Sequence, residues 1–534
     1  MAMAGSAGAG AVDRGAAPAV PGGNLADLVV GASETAPARP GLVDAAGSGS
    51  LTWRRVAAAV DRYAGVLTGL GVARGDRVAV VLSNSLQSCV ALFAVLRAGA
   101  ITVPVGTDAA PQEVERVLDH SGVCFALGLS RVTANPPKKI ISLPDPDLGV
   151  DSDDDGVPRV PAVGGGEDTA LICYTSGTSG SPRGVLLSHR ALLANAAQCA
   201  ALRPAPVTAT DRVLLAVPLS HAYGLSALWQ VAAAGATGVL LPRFGVDRAL
   251  DACRDHRLTT VIGVPAMYQA LVTAGRDRLG AALATARLLT SGAAPLDPRT
   301  LAAVRAATGL AIHEGYGLTE TGPVLTSTLV GGVAKPGAVG RAIPGVELRL
   351  VDADGRPVAT ADDPDDPDGS DESVVGEFTD DSETGLVAAR GANLFSGYWP
   401  DGRGGPDADG WFRTGDVGYF DADGDLRLVD RAHDLIIVNG FNVYPREVEQ
   451  VVAELPGVAE VAAVGVPDER TGERVKVVVV AREGAELTEQ ALLAHCAAHL
   501  ARFKVPGVVE FAAALPHTVT GKLRRAGLRG SVTT

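Results

Sequence analysis

Aromatic residues are scarce: Phe, Tyr and Trp make up 4% of the chain, and Met occurs only three times. Ala, Val and Leu must therefore fill the cores, and the 47% apolar content is enough to do so. The six cysteines form no C-x-x-C pair and no close Cys/His cluster. They read as reduced, small core residues, which fits the cytoplasm. No basic tail or stripe is present, so nucleic-acid binding has no support. No G-x-x-x-x-G-K-[ST] loop occurs. The first 23 residues lack a basic segment ahead of a Leu-rich core, so they read as a disordered leader rather than a signal peptide. The charge-free stretch from Val213 to Pro242 is broken by Pro218, His221 and Gln230. It reads as strand, loop, buried helix and strand rather than as an integral membrane segment.

The net charge of −14 is local: eleven acidic residues lie between Asp362 and Glu383, and four more between Asp151 and Asp155. Without those fifteen the remainder sums to about +1. The body of the protein need not repel an anionic substrate. The run around 360–384 is expected to be a solvated, disordered insertion, and the Pro-, Asp- and Gly-rich segment from Pro136 to Gly166 a linker. Elsewhere, short apolar strands alternate with helices. Arg77–Leu82, Ile101–Val105, Arg212–Val217 and Thr259–Gly263 are such strands, and the pattern predicts βαβ units and parallel sheets. The texture shifts to short strands from Gly340, and to a compact α+β segment from Asp434. A domain boundary is expected near Asp430.

Against this background one stretch stands out: Tyr174-Thr175-Ser176-Gly177-Thr178-Ser179-Gly180-Ser181-Pro182-Arg183-Gly184. It reads as strand, polar loop, and a helix starting near Ser188. Glycines let a backbone approach a ligand closely, and N–H groups with small hydroxyls make a nest for anionic oxygen. A plain surface turn would use the same residues, but seldom so many hydroxyls beside a cation. Four further stretches follow in order: Glu314-Gly315-Tyr316-Gly317-Leu318-Thr319-Glu320; Trp411-Phe412-Arg413-Thr414-Gly415-Asp416; Asp430-Arg431-Ala432-His433-Asp434 running on to Gly440-Phe441-Asn442; and His517-Thr518-Val519-Thr520-Gly521-Lys522. Taken alone, Glu320 is as readily a solvated acid at a helix start, Lys522 a solvated tail lysine, and His221 a satisfied core residue.

Together, from Asn24 to Arg529, these stretches resemble the adenylate-forming superfamily of acyl-CoA synthetases, adenylation domains and luciferases. The Gly-Phe-Asn-Val-Tyr-Pro-Arg-Glu run is most like that of bacterial fatty-acid–CoA ligases. The resemblance implies an α/β fold. A large N-terminal domain (24–430) would combine parallel βαβ-type sheets with a small distorted β-barrel. A hinge (431–434) and a small mobile α+β C-terminal domain (435–534) would follow. It implies ATP, Mg²⁺ and the co-substrate CoA, and a two-step reaction. A carboxylate attacks the α-phosphate of ATP, giving acyl-AMP and pyrophosphate, and a thiol then displaces AMP. Positioning and charge neutralisation carry most of such catalysis.

By the same resemblance, Thr175, Ser176, Gly177, Thr178, Ser179 and Gly180 would hold the β- and γ-phosphates, with Arg183 beside them. Glu320 would ligate Mg²⁺ and Thr319 touch the α-phosphate. Gly315 and Tyr316, within the run Glu314 to Gly317, would flank the adenine, with Gly292, Ala293 and Ala294 opposite. Asp416 would hold the ribose, assisted by Arg431. Lys522 would reach in from the small domain for the first half-reaction, and Gly440 and Phe441 would line the pantetheine path for the second. His221 would gate the acyl site and His433 act as hinge.

Three positions depart from the family pattern. Arg183 stands where many members have Lys, and His433 where Lys or Asp is usual. The Gly-Glu pair expected before Arg390-Gly391 is displaced, either to Gly376-Glu377 or with Leu386 in place of Glu. The expected acyl pocket, His221–Trp229, Ile262–Met267, Gly292 and Gly315–Leu318, offers no cation for a second carboxylate and no acid for an α-ammonium. A fatty acid of medium or long chain is preferred, with an aryl acid as the alternative. Transfer to a free-standing carrier protein is a rival reading, as is a non-catalytic adenylate-binding protein. A homodimer is left open.

Overall fold

The structure, a computed structural model, describes residues 22–47, 49–81, 83–107, 109–128, 139–141, 159–176, 182–358, 384–431, 434–438, 441–468, 470–517 and 523–529. The expected leader up to residue 21, most of the acidic insertion, His433 and Lys522 lie outside those residues. The described strands form three sheets, of 13, 6 and 5 strands. No helix among the described residues is long and apolar enough to cross a membrane.

The largest sheet contains a parallel block, Pro40–Asp44, Thr237–Leu240, Arg212–Leu215, Thr260–Gly263, Leu288–Ser291 and Ile312–Tyr316, side by side in that order. These strands are short and apolar because both faces are covered; Thr237–Leu240 and Thr260–Gly263 are buried at every position. The second sheet places Arg77–Val81 between Ile101–Val105 and Phe125–Leu127, all parallel. Helices Trp53–Gly69, Leu86–Arg97, His189–Ala200 and Ala222–Ala234 share one hydrophobic core with strands of both sheets. Phe93 and Trp229 meet edge to face at 5.1 Å there. Arg97, 4% exposed, lies 3.1 Å from Asp61. That pairing is what allows a guanidinium into an interior built of alanine and leucine.

Several expectations are corrected. The glycine stretch has the expected strand before it and the expected helix start near Ser188, but a second strand, Pro182–Ser188, stands between loop and helix. Thr169–Ser176 and Pro182–Ser188 are two antiparallel strands of a hairpin, and the helix starts at His189 with Ser188 as its cap. Lys139–Ile141, read as linker, is a strand beside Phe125–Leu127. Two short helices, Pro265–Val272 and Arg276–Ala282, follow the strand Thr260–Gly263. The antiparallel strands Ala338–Ala342, Val346–Val351, Gly385–Gly391, Trp411–Phe420 and Leu426–Arg431 continue the largest sheet, and no closed barrel forms among the described residues. Val351 pairs with Leu386, so the acidic insertion joins two neighbouring strands of a hairpin. A long connection there costs little, because closure entropy grows only slowly with length.

Beyond residue 434 the chain builds its own five-stranded sheet and its own core, in which Val448, Val452, Leu492 and Cys496 are buried. It touches the preceding part through the Arg446 guanidinium, which donates to the Leu428 carbonyl at 3.1 Å.

Candidate active site

The segment Phe395–Trp399 draws the expected site together. It is threaded between the second strand of the glycine hairpin and the turn that carries Glu320. Leu186 N–H donates to the Gly397 carbonyl and the Leu186 carbonyl accepts from Ser396 N–H, Trp399 N–H donates to the Gly184 carbonyl, and Phe395 N–H donates to that of Glu320. Tyr398 thus reaches both sides. Its hydroxyl donates to Glu320 Oε1 at 2.8 Å, and the Arg183 guanidinium lies 5.2 Å from the centre of its ring. Burial, with the Glu320 carboxylate beside it, pushes the Tyr398 phenol above its ordinary pKa. The sequence reading did not single out Tyr398. The signal was an aromatic cluster, Phe395, Tyr398 and Trp399, in a chain nearly free of aromatics.

Glu320 itself sits in a single 3-10 turn, Thr319–Thr321, and is 9% exposed. The turn is tight because Gly317 precedes it: a Cβ at that position would drive into the Pro323 carbonyl oxygen. The Asn393 side chain donates to the Thr321 carbonyl at 2.7 Å and holds the turn from behind. A carboxylate with a threonine hydroxyl next to it is an oxygen donor set of the kind a hard cation such as Mg²⁺ takes. The residues present therefore fit that ion.

A second wall lies at the far end of the parallel block. Tyr316 closes the strand Ile312–Tyr316, and its hydroxyl donates to Asp416 Oδ2 at 2.6 Å across 100 residues of sequence. Asp416 is buried and pairs in register with Arg431 on the next strand. The loop after Leu288–Ser291 faces the same strand end. Ala293 there holds φ 71°, a left-handed backbone uncommon for a residue with a Cβ. Gly292 is in close packing: a Cβ on it would stand 3.0 Å from the Tyr223 ring.

Beneath this wall lies Glu314, 5% exposed. The Leu296 N–H donates to its Oε2 at 3.3 Å, while its Oε1 is buried with no hydrogen-bond partner. Burial, only partly countered by that bond and by Arg446, raises the carboxyl to about 7. Shifts of this kind gather at functional sites.

His221 caps the helix Ala222–Ala234. Burial lowers its imidazole below the ordinary value, with the Glu113 carboxylate opposing. The loop that presents it is fixed by Asn84, which the sequence reading passed over. Asn84 donates to the Leu215 and Val217 carbonyls at 3.1 and 3.0 Å and accepts from Leu219 N–H at 2.9 Å.

Of the expected residues, the structure brings Arg183, Glu320 and Thr319 to one wall and Glu314, Gly315, Tyr316 and Asp416 to another, with Gly292 to Ala294 opening on the second. Thr175 pairs with Arg183 across the hairpin. Gly177, Thr178, Ser179, Gly180, His433, Gly440 and Lys522 lie outside the described residues, as does Gly376-Glu377; Leu386 is an ordinary strand residue. For Ser176, Arg431 and Phe441 the backbone alone is described.

The chain is similar along most of its length to known proteins of one family. The family model for AMP-binding enzymes matches residues 31–399, and that for the AMP-binding enzyme C-terminal domain matches 447–522. The long-chain-fatty-acid–CoA ligase FadD13 of Mycobacterium tuberculosis is 33% identical, over 90% of this chain and 92% of that protein. The feruloyl-CoA synthase of an Amycolatopsis species is 35% identical, over 90% and 94%. The ATP-bound structure of MatB from Rhodopseudomonas palustris superposes with a TM-score of 0.82 at 32% identity, over 95% of this chain and 98% of that one.

Proposed function

The chain belongs to the AMP-binding enzyme family, and on that premise we propose that it is an ATP-dependent acyl-CoA ligase for a medium- or long-chain fatty acid. The acid is activated as acyl-AMP with release of pyrophosphate, and CoA then takes the acyl group as a thioester while AMP leaves. The observation that carries this reading is the pairing of two walls. One is an anion-facing wall of Arg183, Tyr398 and Glu320. The other is a nucleoside wall in which Tyr316 orients Asp416 at 2.6 Å.

Each group has a distinct task. Asp416, held by the Tyr316 hydroxyl, presents carboxylate oxygens that accept from ribose hydroxyls. The edge of Gly315 and Tyr316 takes the flat adenine, with Gly292 to Ala294 opposite. The glycine hairpin offers hydroxyls and N–H groups to the pyrophosphate end, and Thr319 offers a hydroxyl to the α-phosphate. Glu320 and Thr319 are the residues that would hold Mg²⁺, which supplies neutralisation of phosphate charge when bound. Lys522 adds a mobile positive charge in the first half-reaction, and His433 serves as the pivot that exchanges it for the Gly440-Phe441 loop in the second.

An aryl acid is the second reading, favoured by the Tyr223 ring packed on Gly292 and by the feruloyl-CoA synthase among the relatives. The deciding experiment measures pyrophosphate release from ATP with a panel of fatty and aryl acids, first without thiol and then with CoA. Release and thioester formation with fatty acids is the expected result. Activity confined to aryl acids would replace the substrate class. Release without CoA thioester would favour a carrier protein as acceptor, and no release with any acid would remove the enzymatic reading.

A further inference from the structure

Outside the nucleotide walls, one cluster of metal-ligating side chains stands apart in the C-terminal part. His495 and His499 are four residues apart on the helix Glu489–His499, a spacing that stacks them on one face. Glu454 stands just past the end of the neighbouring helix Pro445–Ala453. One ligand atom from each of the three lies within 4.8 Å of the others. The imidazole centres are 4.3 Å apart, tilted by 36°, and His495 Nε2 is 3.3 Å from Glu454 Oε2.

Backbone contacts orient both rings. His499 Nδ1 lies 2.8 Å from the His495 carbonyl oxygen, so its N–H donates there and the lone pair falls on Nε2. A ring nitrogen tied to a backbone carbonyl is the arrangement that fixes the tautomer of metal-binding histidines. His495 Nε2 lies 3.0 Å from the Val451 carbonyl oxygen, which ties the second ring to the first helix. The helices are themselves locked together below the cluster, where Val448, Val452, Leu492 and Cys496 share one core. The core therefore sets the spacing, while Glu454 and His499 remain exposed and open to solvent. Among the described residues no lysine or arginine pairs with Glu454.

We propose that Glu454, His495 and His499 bind one divalent transition-metal ion of the zinc class, clamping the ends of the two helices together. Two imidazoles and a carboxylate suit Zn²⁺, Co²⁺, Ni²⁺ or Cu²⁺ and disfavour Mg²⁺ and Ca²⁺, which prefer all-oxygen shells. Ligand bonds of about 2.0–2.2 Å in a tetrahedral shell separate ligand atoms by roughly 3.3 Å. The Glu454–His495 distance of 3.3 Å already meets that spacing, and His499, on the exposed last turn, closes by a side-chain rotation. His495 binds through Nε2 as the neutral ring: solvent takes the Nε2 proton and returns one to Nδ1, and the bond to Val451 is exchanged for the metal. Three protein ligands leave the fourth position to water. The site shares no residue with the nucleotide walls, so its role is to stiffen the small domain.

The test uses the full-length, tag-free chain stripped of metal and titrated with ZnCl₂ by calorimetry, and with CoCl₂ by visible absorption. One equivalent should bind, without competition from MgCl₂. His499→Ala should weaken binding on the order of tenfold or more, at least what a mere supporting partner of a ligand is worth. Glu454→Gln should weaken it measurably. Both side chains are exposed, so circular dichroism should be unchanged. Zinc should also slow proteolysis of the C-terminal part in the wild type but not in His499→Ala. The proposal is overturned if no saturable equivalent binds, or if His499→Ala and Glu454→Gln give the wild-type isotherm.

Discussion

Replacing Glu314 by glutamine should make the protein more stable at alkaline pH and change little in mild acid. The carboxyl is 5% exposed, one of its oxygens has no hydrogen-bond partner, and its pKa is raised from 4.5 to about 7. Between those values the folded chain holds a proton that the unfolded chain has lost. Stability therefore falls as pH rises through that window and levels off above the folded pKa. Linkage with these two values gives a penalty of about 1 kcal/mol at pH 5 and about 3 kcal/mol at pH 8. Glutamine removes the titration but buries an amide group without a full set of partners, at about 1 kcal/mol. The variant should thus match the wild type near pH 5 and exceed it by about 2 kcal/mol at pH 8. Urea denaturation of both proteins at pH 5, 6.5 and 8 reads this directly. A stability difference that stays constant across those pH values would refute the reasoning, since it would mean that Glu314 does not titrate between them.

Tyr398→Phe should leave the fold intact and raise the Mg²⁺ concentration needed for half-maximal pyrophosphate release several-fold. It removes a hydrogen bond to a charged group, worth about 1.5–3 kcal/mol, and frees Glu320 from its set orientation; an unchanged Mg²⁺ dependence would count against it. Asn84→Ala takes away the partner of the Val217 carbonyl and of the Leu219 N–H in the His221 loop, at about 1–3 kcal/mol for each buried group. Lower thermal stability together with a raised KM for the acid, but not for ATP, is the expected pattern. Gly317→Ala should abolish adenylation, because its Cβ has no room beside Pro323; ATP-binding calorimetry would show whether nucleotide affinity is lost with it.

Much of the parallel block was legible because buried strands announce themselves as short apolar runs, as Arg212–Leu215 and Thr260–Gly263 do. The helix Pro298–Thr308 starts at Asp297-Pro298, a pair that marks a helix start in any sequence, and Asp297 accepts from Arg299 N–H. The second strand of the glycine hairpin was not legible, because Pro182-Arg183-Gly184 is a poor strand sequence on local propensity. Its pairing is supplied by Thr169–Ser176 on one side and the Phe395–Trp399 segment on the other, partners that local sequence does not reveal. Asn84 and Tyr398 were missed for the same reason. Each acts on groups more than a hundred residues distant or, for Tyr398, 78 residues back at Glu320, and neither belongs to a recognisable local pattern.

The place of Arg183 follows from what Tyr398 does between it and Glu320. A cation bonded directly to Glu320 would neutralise the carboxylate and compete with a metal ion for its oxygens. Here the guanidinium sits over the ring, 5.2 Å from its centre, and the ring passes only a neutral hydroxyl bond on to Glu320. The acid is oriented without being discharged. Stacking on an aromatic face is something the flat guanidinium does well and an ammonium, a compact and strongly hydrated point charge, does with a different geometry. Arginine in place of lysine is therefore more than conservation of charge. It lets the hairpin cation lean on the residue that aims Glu320, which couples the glycine hairpin to the carboxylate wall.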